Sequence, residues 1–120
     1  MSIPAFKCQE LGSSLILPRN EQEHKDLFPA VQSLAKINDV IALDGSDVAN
    51  EGVWVDSTGS PITYFNWNFI EPNGGRKENR LNYWLGLTSN PYRTPGSMND
   101  YTDDIIATVI CSKAVVFGKF

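Results

Sequence analysis

Few residues in this chain could hold zinc or carry out nucleophilic chemistry. The 120 residues include one histidine, His24, and two cysteines, Cys8 and Cys111. Zinc sites draw on more of these ligands than the chain offers, and a catalytic nucleophile needs a base within hydrogen-bond reach. The sequence therefore argues against a zinc site and against an enzyme. We expect His24 to lie on the solvated face of a helix.

Clusters of basic residues and long apolar runs are also missing. The formal net charge is −4, and the ten lysines and arginines are scattered, whereas binding to nucleic-acid phosphates relies on clustered basic side chains. No apolar run approaches the length of a membrane span, and no segment has the pattern of a signal peptide. We therefore expect no nucleic-acid partner and no membrane insertion. The length predicts one domain over residues 1–120.

The two cysteines lie near opposite ends of the chain and leave two interpretations open. Cys8 and Cys111 could be free buried thiols, because cysteine is among the most buried residue types. Alternatively, a disulfide between them would close a loop of nearly the whole chain. The residues by themselves do not decide between these states.

Helical patterns come first in the chain and strand patterns follow. Residues 4–11 predict a helix that Gly12 caps. Asn20 opens a second helix with Glu23 in the capping-box position, and Pro29 should kink or restart it. Strand patterns follow at residues 40–43, 52–55, 62–64, 81–87 and 105–111. This order predicts an α+β fold.

An oxygen-rich motif, Glu71-Pro72-Asn73, lies in a long polar segment from residue 66 to 77. It places a carboxylate and a carboxamide on either side of a proline, and a cis bond there would turn both side chains toward one point. A second oxygen-rich cluster follows, with Glu78 and Asn99-Asp100. Calcium prefers about six to eight oxygen ligands of these kinds. The two segments therefore predict a calcium site carried on long loops.

With these motifs in this order, the chain resembles the C-type lectin-like domain over nearly all of its length. Its first two helical segments are similar to the helices that open that domain, and residues 51–67 are similar to its central hairpin. The motif Glu71-Pro72-Asn73, then Glu78, then Asn99-Asp100 match the order and approximate spacing of the family's calcium- and sugar-binding site. The resemblance implies two helices, short antiparallel sheets and a long calcium-binding loop region.

The resemblance also implies a ligand set and a function. One calcium ion and two vicinal sugar hydroxyls would be bound together by Glu71, Asn73, Glu78, Asn99 and Asp100. The Glu-Pro-Asn order resembles family members that prefer mannose, glucose, N-acetylglucosamine or fucose. The implied protein is a secreted, calcium-dependent lectin for mannose-type glycans, and a homo-oligomer would give it avidity.

Other features of the family are only partly matched. Asp47 and Glu51, together with Glu78, could hold an accessory calcium ion, although fewer acids surround them than is usual. Arg80 and approximately Asp103 occupy the places of an inner disulfide, and we predict that they form an ion pair there.

The family pattern also bears on the cysteines and on one core position. It places Cys8 on the first helix and Cys111 on the last strand, side by side, which implies a disulfide in an oxidising environment. Met98 stands where a tryptophan is customary.

Two other functions remain alternatives, since a fold does not imply a function. A domain of this kind that has lost sugar binding could be a protein-binding or ice-binding module. Paired carboxylates such as Glu71 and Glu78 could serve a glycosidase, but a nucleophile with its base is missing, so no enzyme is expected. Oxygen side chains at all of the primary ligand positions favour sugar binding.

Overall fold

The computed structural model describes residues 3–34, 40–68, 78–86, 94–102 and 107–112 of the chain. Within these ranges two helices precede three strands: α1 (Ile3–Glu10), α2 (Glu21–Leu34), β1 (Val40–Ser46), β2 (Arg80–Trp84) and β3 (Met98–Tyr101). This order confirms the predicted α+β class.

The two helices begin and end close to their predicted signals. The Oδ1 atom of Asn20 accepts a hydrogen bond from the backbone N–H of Glu23 at 2.9 Å, which caps α2. Gly12 has a φ of 72°, the left-handed conformation that ends α1. Pro29 lies inside α2 without ending it, so the helix does not restart there. The neighbouring Leu27 packs on the main core and helps to hold the helix across the proline.

The three strands form one antiparallel sheet in the order β1-β2-β3. Opposite β2, the strand β1 carries a bulge, because four steps from Ala42 to Ser46 face two steps of β2. Gly45 lies in this bulge, where an added Cβ would come within 2.8 Å of a Leu81 methyl group. The bulge therefore requires glycine at this close approach.

The main core lies between the sheet, α2 and the 53–62 hairpin. Its buried members are Ile16, Val31, Ile41, Leu43, Trp54, Ile62, Leu81, Tyr83, Leu85 and Met98. A second cluster, containing Ala5, Cys8, Leu15 and Ala42, forms where α1 packs. A disulfide joins Cys8 to Cys111, which confirms the pairing that the family resemblance implied.

Three strand predictions differ from the structure. In the segment at 52–55 only Val55 is bridged, to Ser46 and to Pro61, and residues 62–64 have no bridge. The described part of the segment at 105–111 forms single bridges at Thr108 and Cys111. Conversely, β3 was not predicted, because Asn99 and Asp100 are poor strand formers. Pairing with the central strand β2 outweighs that preference.

Candidate functional site

The strand β3 carries two of the predicted ligands. Asn99 is 6% exposed and Asp100 is 2% exposed. In the sheet register Asn99 lies opposite Asn82, and Asp100 lies opposite Leu81. Burying a carboxylate beside an apolar residue costs free energy unless other groups compensate for the charge. The central sheet therefore holds this acid in a place where its charge has to be balanced.

Glu78 is brought close to Asp100. It lies two residues before β2 and is partly buried. Burial raises the pKa of Glu78, and the negative charge of Asp100 raises it further. A positive charge between two such carboxylates would turn repulsion into attraction, so the pair is a candidate for cation binding.

The remaining two primary ligands, Glu71 and Asn73, lie outside the described residues. Among the residues that are described, no three histidine, cysteine, aspartate or glutamate side chains are grouped so as to hold a metal ion. The structure thus places Glu78 within electrostatic range of Asp100, with Asn99 next to Asp100 in the strand, and all five ligand positions stay predictions.

The segment that leads toward Glu71 is held against β3. Met98 forms a parallel bridge with Trp67. The N–H of Met98 donates to the carbonyl of Asn66 at 2.6 Å, and the N–H of Asn68 donates to the carbonyl of Met98 at 2.7 Å. The chain that leads toward Glu71 is therefore attached to β3 up to Asn68, the last described residue before residue 78.

The predicted accessory position contains an unusual carboxylate. Asp47 is 2% exposed, and its Oδ2 atom accepts a hydrogen bond from the N–H of Gly52 at 2.9 Å. Its Oδ1 atom is buried and has no hydrogen-bond partner within the described ranges. A cleft of about 490 Å³ is lined by Asp47, Glu51 and Asn79. Such an oxygen carries a desolvation cost that a cation would remove.

His24 lies in a different environment from the one expected. It is partly buried, and its Nδ1 atom is 2.8 Å from the hydroxyl of the buried Tyr83. Its ring stacks with Phe28 at 6.0 Å. The prediction of a solvated histidine is therefore wrong. The helical spacing of His24, Phe28 and Val31 places all three on one face of α2 and could have revealed this.

Arg80 contacts the bulged strand. Its Nη1 atom donates to the hydroxyl of Ser46 at 3.0 Å. Asp103 lies outside the described residues, so the predicted ion pair between Arg80 and Asp103 stays a prediction.

Comparisons with known proteins identify the class of domain. No family model matches the chain. It is 41% identical over 76 residues to a tetranectin-like protein of Carcharhinus perezii, a match that covers 60% of this chain and 43% of the relative. The chain thus spans less than half of that relative's length.

Solved structures extend the likeness to almost the whole chain. The C-type lectin CEL-I from Cucumaria echinata has a TM-score of 0.75 at 18% identity, covering 90% of this chain and 78% of that one. A calcium-independent type II antifreeze protein has a TM-score of 0.68 at 16% identity, covering 89% of this chain and 72% of that one. The chain therefore has the C-type lectin-like fold.

This class bears on two earlier expectations. The relatives that the chain matches are C-type lectin domain proteins, which are non-enzymatic binding modules. In the part of the chain that the structure describes, no helix has the length and apolar character needed to cross a membrane.

Proposed function

We propose that this domain binds carbohydrate through a calcium ion held by Glu71, Asn73, Glu78, Asn99 and Asp100. The observation that carries the proposal is the pair formed by Glu78 and Asp100. Burial raises the pKa of Glu78, the charge of Asp100 raises it further, and a divalent cation would offset both effects. A fold stabilised without a ligand gains nothing from holding two partly desolvated acids together.

The donor set fits calcium better than other common metals. Its members offer only oxygen atoms from three carboxylates and two carboxamides, the hard ligands that calcium prefers over nitrogen and sulfur. When bound, the ion supplies the positive charge to which two vicinal sugar hydroxyls coordinate. The carboxylate oxygens can accept hydrogen bonds from those hydroxyls, and the carboxamide N–H groups can donate to them.

The sugar class follows from the motif order. Glu71-Pro72-Asn73 favours mannose, glucose, N-acetylglucosamine or fucose, and the likeness to the lectin CEL-I supports sugar as the ligand class. The disulfide between Cys8 and Cys111 fits an extracellular location, where thiols are oxidised. A single site of this kind binds a monosaccharide weakly, so several copies in a homo-oligomer would supply avidity on a glycan.

An accessory calcium ion at Asp47 and Glu51 forms part of the proposal. The buried Oδ1 atom of Asp47, without a hydrogen-bond partner among the described residues, supports it. This second ion would stabilise the loop that carries Glu51 without touching the sugar.

A second candidate function is ice binding without calcium. The likeness to a calcium-independent antifreeze protein favours it. Thermal hysteresis of a freezing solution distinguishes the two, because a sugar-binding domain would leave the freezing point close to that of a matched control protein.

Calorimetric titration tests the main proposal. Calcium should bind the wild-type domain, and mannose should then bind only when calcium is present. Asp100→Asn removes one ligand charge while keeping the side-chain shape, and should weaken calcium binding on the order of 100-fold, since ligand charge sets affinity over several orders of magnitude. Asp26→Asn makes the same change on the exposed face of α2 and should bind as the wild type does. Undiminished mannose binding by Asp100→Asn in EDTA would contradict the proposal.

The paired change Glu71→Gln and Asn73→Asp tests sugar selectivity. It keeps the ligand number and the net charge but exchanges the donor and acceptor sides of the site. We expect preference to move from mannose toward galactose while calcium binding persists. Titration of the variant with both sugars in calcium measures this shift, and an unchanged preference for mannose would show that the motif does not select the sugar.

A further inference from the structure

We infer that Asn68 is a positioning residue for the proposed calcium site, an inference that rests on the proposed function. Asn68 is not one of the proposed ligands. It is only 7% exposed, and it lies three residues before Glu71. A buried carboxamide at this point has to be explained by what it bonds, because its polar atoms lose water on folding.

The Asn68 side chain bonds the turn that precedes β3. Its Oδ1 atom accepts a hydrogen bond from the N–H of Thr94 at 3.1 Å. The hydroxyl of Ser97, which is 3% exposed, lies 3.0 Å from the same oxygen. That hydroxyl also lies 2.6 Å from the carbonyl of Thr94, so its one proton is shared between these two acceptors. Asn68 and the turn thus form one hydrogen-bonded unit.

The Asn68 backbone bonds the strand itself. Its N–H donates to the carbonyl of Met98 at 2.7 Å, and Met98 immediately precedes Asn99. One residue is therefore fixed both to the turn before β3 and to the first residue of β3. Asn99 and Asp100, the proposed ligands on β3, follow Met98 directly and are therefore attached through it to the segment that contains Asn68.

Metal affinity depends on such attachments. A site loses affinity when its ligands are free to move, and removing a group that orients a ligand typically weakens metal binding by about 10- to 100-fold. The Asn68 side chain has this role for β3, which carries Asn99 and Asp100. Without it, the attachment would rest on the backbone bonds to Met98 and on the Asn66 side chain, whose Nδ2 atom donates to the carbonyl of Gly96 at 2.9 Å.

The experiment measures calcium affinity and unfolding in EDTA for a set of variants. Asn68→Ala should weaken calcium binding about 10-fold, and Ser97→Ala should weaken it by a smaller factor. The double variant should bind about as weakly as Asn68→Ala alone, because both changes break the same unit. Ser57→Ala is the matched control, since it removes a hydroxyl bonded at 2.9 Å to the buried Asp44 in another part of the fold.

A general loss of stability would lower the calcium affinity of the control and of the test variants alike. At equal unfolding stability, we expect Ser97→Ala to lose more calcium affinity than Ser57→Ala does. If Asn68→Ala fails to fold, Ser97→Ala decides the question. Calcium affinities of Ser97→Ala and of folded Asn68→Ala equal to that of the wild type would overturn the positioning role alone. Absence of calcium binding by the wild-type domain would instead overturn the proposed function.

Discussion

The buried carboxylates of this domain fall into two groups that differ in the hydrogen-bond donors around them. The hairpin anchor, made of Arg19, Asp44, Asp56 and Ser57, surrounds its acids with donors. Arg19 lies 2.9 Å from Asp56, and Ser57 donates to Asp44 from its N–H and its hydroxyl. The second group comprises Asp47, Glu78 and Asp100, which we call the site carboxylates.

The pKa values in the hairpin anchor reflect these donors. Burial acts to raise the pKa of Asp56, but hydrogen bonds from Thr58, Ser60 and Arg19 outweigh it and lower the pKa overall. For Asp44, burial raises the pKa more than the Ser57 bonds lower it. An acid that ties the hairpin to the sheet is thus supplied with donors, even where they only partly offset burial.

Two of the site carboxylates, Asp47 and Glu78, lack part of this compensation. Burial and the charge of Asp100 both raise the pKa of Glu78, and within the described chain the Oδ1 atom of Asp47 has no hydrogen-bond partner. Acids whose burial or charge is only partly offset are candidates for ligand binding, and this difference favours the site carboxylates over the hairpin anchor as the place where a ligand binds.

The largest effect is expected from Asp56→Ala in the hairpin anchor. It removes an ion pair and the bonds from Thr58 and Ser60, and should cost about 2–4 kcal/mol of unfolding free energy at neutral pH. Because the folded pKa of Asp56 is lowered, this stabilisation is present above the unfolded value and is lost as the pH falls through the folded pKa. Urea unfolding at several pH values measures it.

Weaker calcium binding by Asp56→Ala would contradict the separation of the hairpin anchor from the site carboxylates. Calorimetric titration at a temperature where the variant is fully folded provides that control. We expect an affinity equal to that of the wild type, since no contact joins Asp56 to the site carboxylates among the described residues.

A smaller effect of opposite sign is expected from Asp44→Asn. The pKa of Asp44 is raised by burial, so its contribution to stability is present below the unfolded value of 3.8 and is lost as the pH rises through the folded pKa. Asparagine keeps an oxygen for Ser57 and has no charge to lose. The variant should gain up to about 1 kcal/mol at neutral pH, measured by urea unfolding, and should respond to calcium as the wild type does. A loss of calcium response would place Asp44 with the site carboxylates.

The smallest effect on stability is expected from Glu78→Gln in EDTA. The raised pKa of Glu78 means that the folded domain loses stability as the pH rises through that pKa. Removing the charge should raise the unfolding temperature in EDTA at neutral pH by about 2 °C, a small shift because the side chain is partly exposed to solvent. Scanning calorimetry in EDTA measures it, and a lower unfolding temperature would mean that the repulsion from Asp100 is already compensated.

Much of the fold could be predicted from local signals and from motif order. The Asn20 cap and the Gly12 stop are short-range features that the sequence displays directly. The disulfide followed from the family resemblance, because the spacing of Cys8 and Cys111 alone left free thiols open. Identifying the candidate ligands needed the ordered series of oxygen side chains and not any one of them.

The features that the sequence did not predict have a common physical cause, which is contact between residues distant along the chain. The strand β3 forms although Asn99 and Asp100 disfavour it, because pairing across the sheet decides its structure. The role of Asn68 could not be predicted from the sequence, because its side chain bonds Thr94 and Ser97, which are distant along the chain. Likewise, His24 meets Tyr83 only once α2 has packed on the sheet.

The most direct test of the account is the stabilisation that calcium gives to the wild type, to Glu78→Gln and to Asp44→Asn. Calcium should stabilise the wild type by about 2.7 kcal/mol when its free concentration reaches about 100 times its dissociation constant. Urea unfolding at rising calcium concentrations measures this gain. Asp44→Asn should gain as much, whereas Glu78→Gln should gain far less despite its higher stability in EDTA. A wild type that calcium does not stabilise, or a Glu78→Gln variant that calcium stabilises equally, would contradict the assignment of the site carboxylates to calcium.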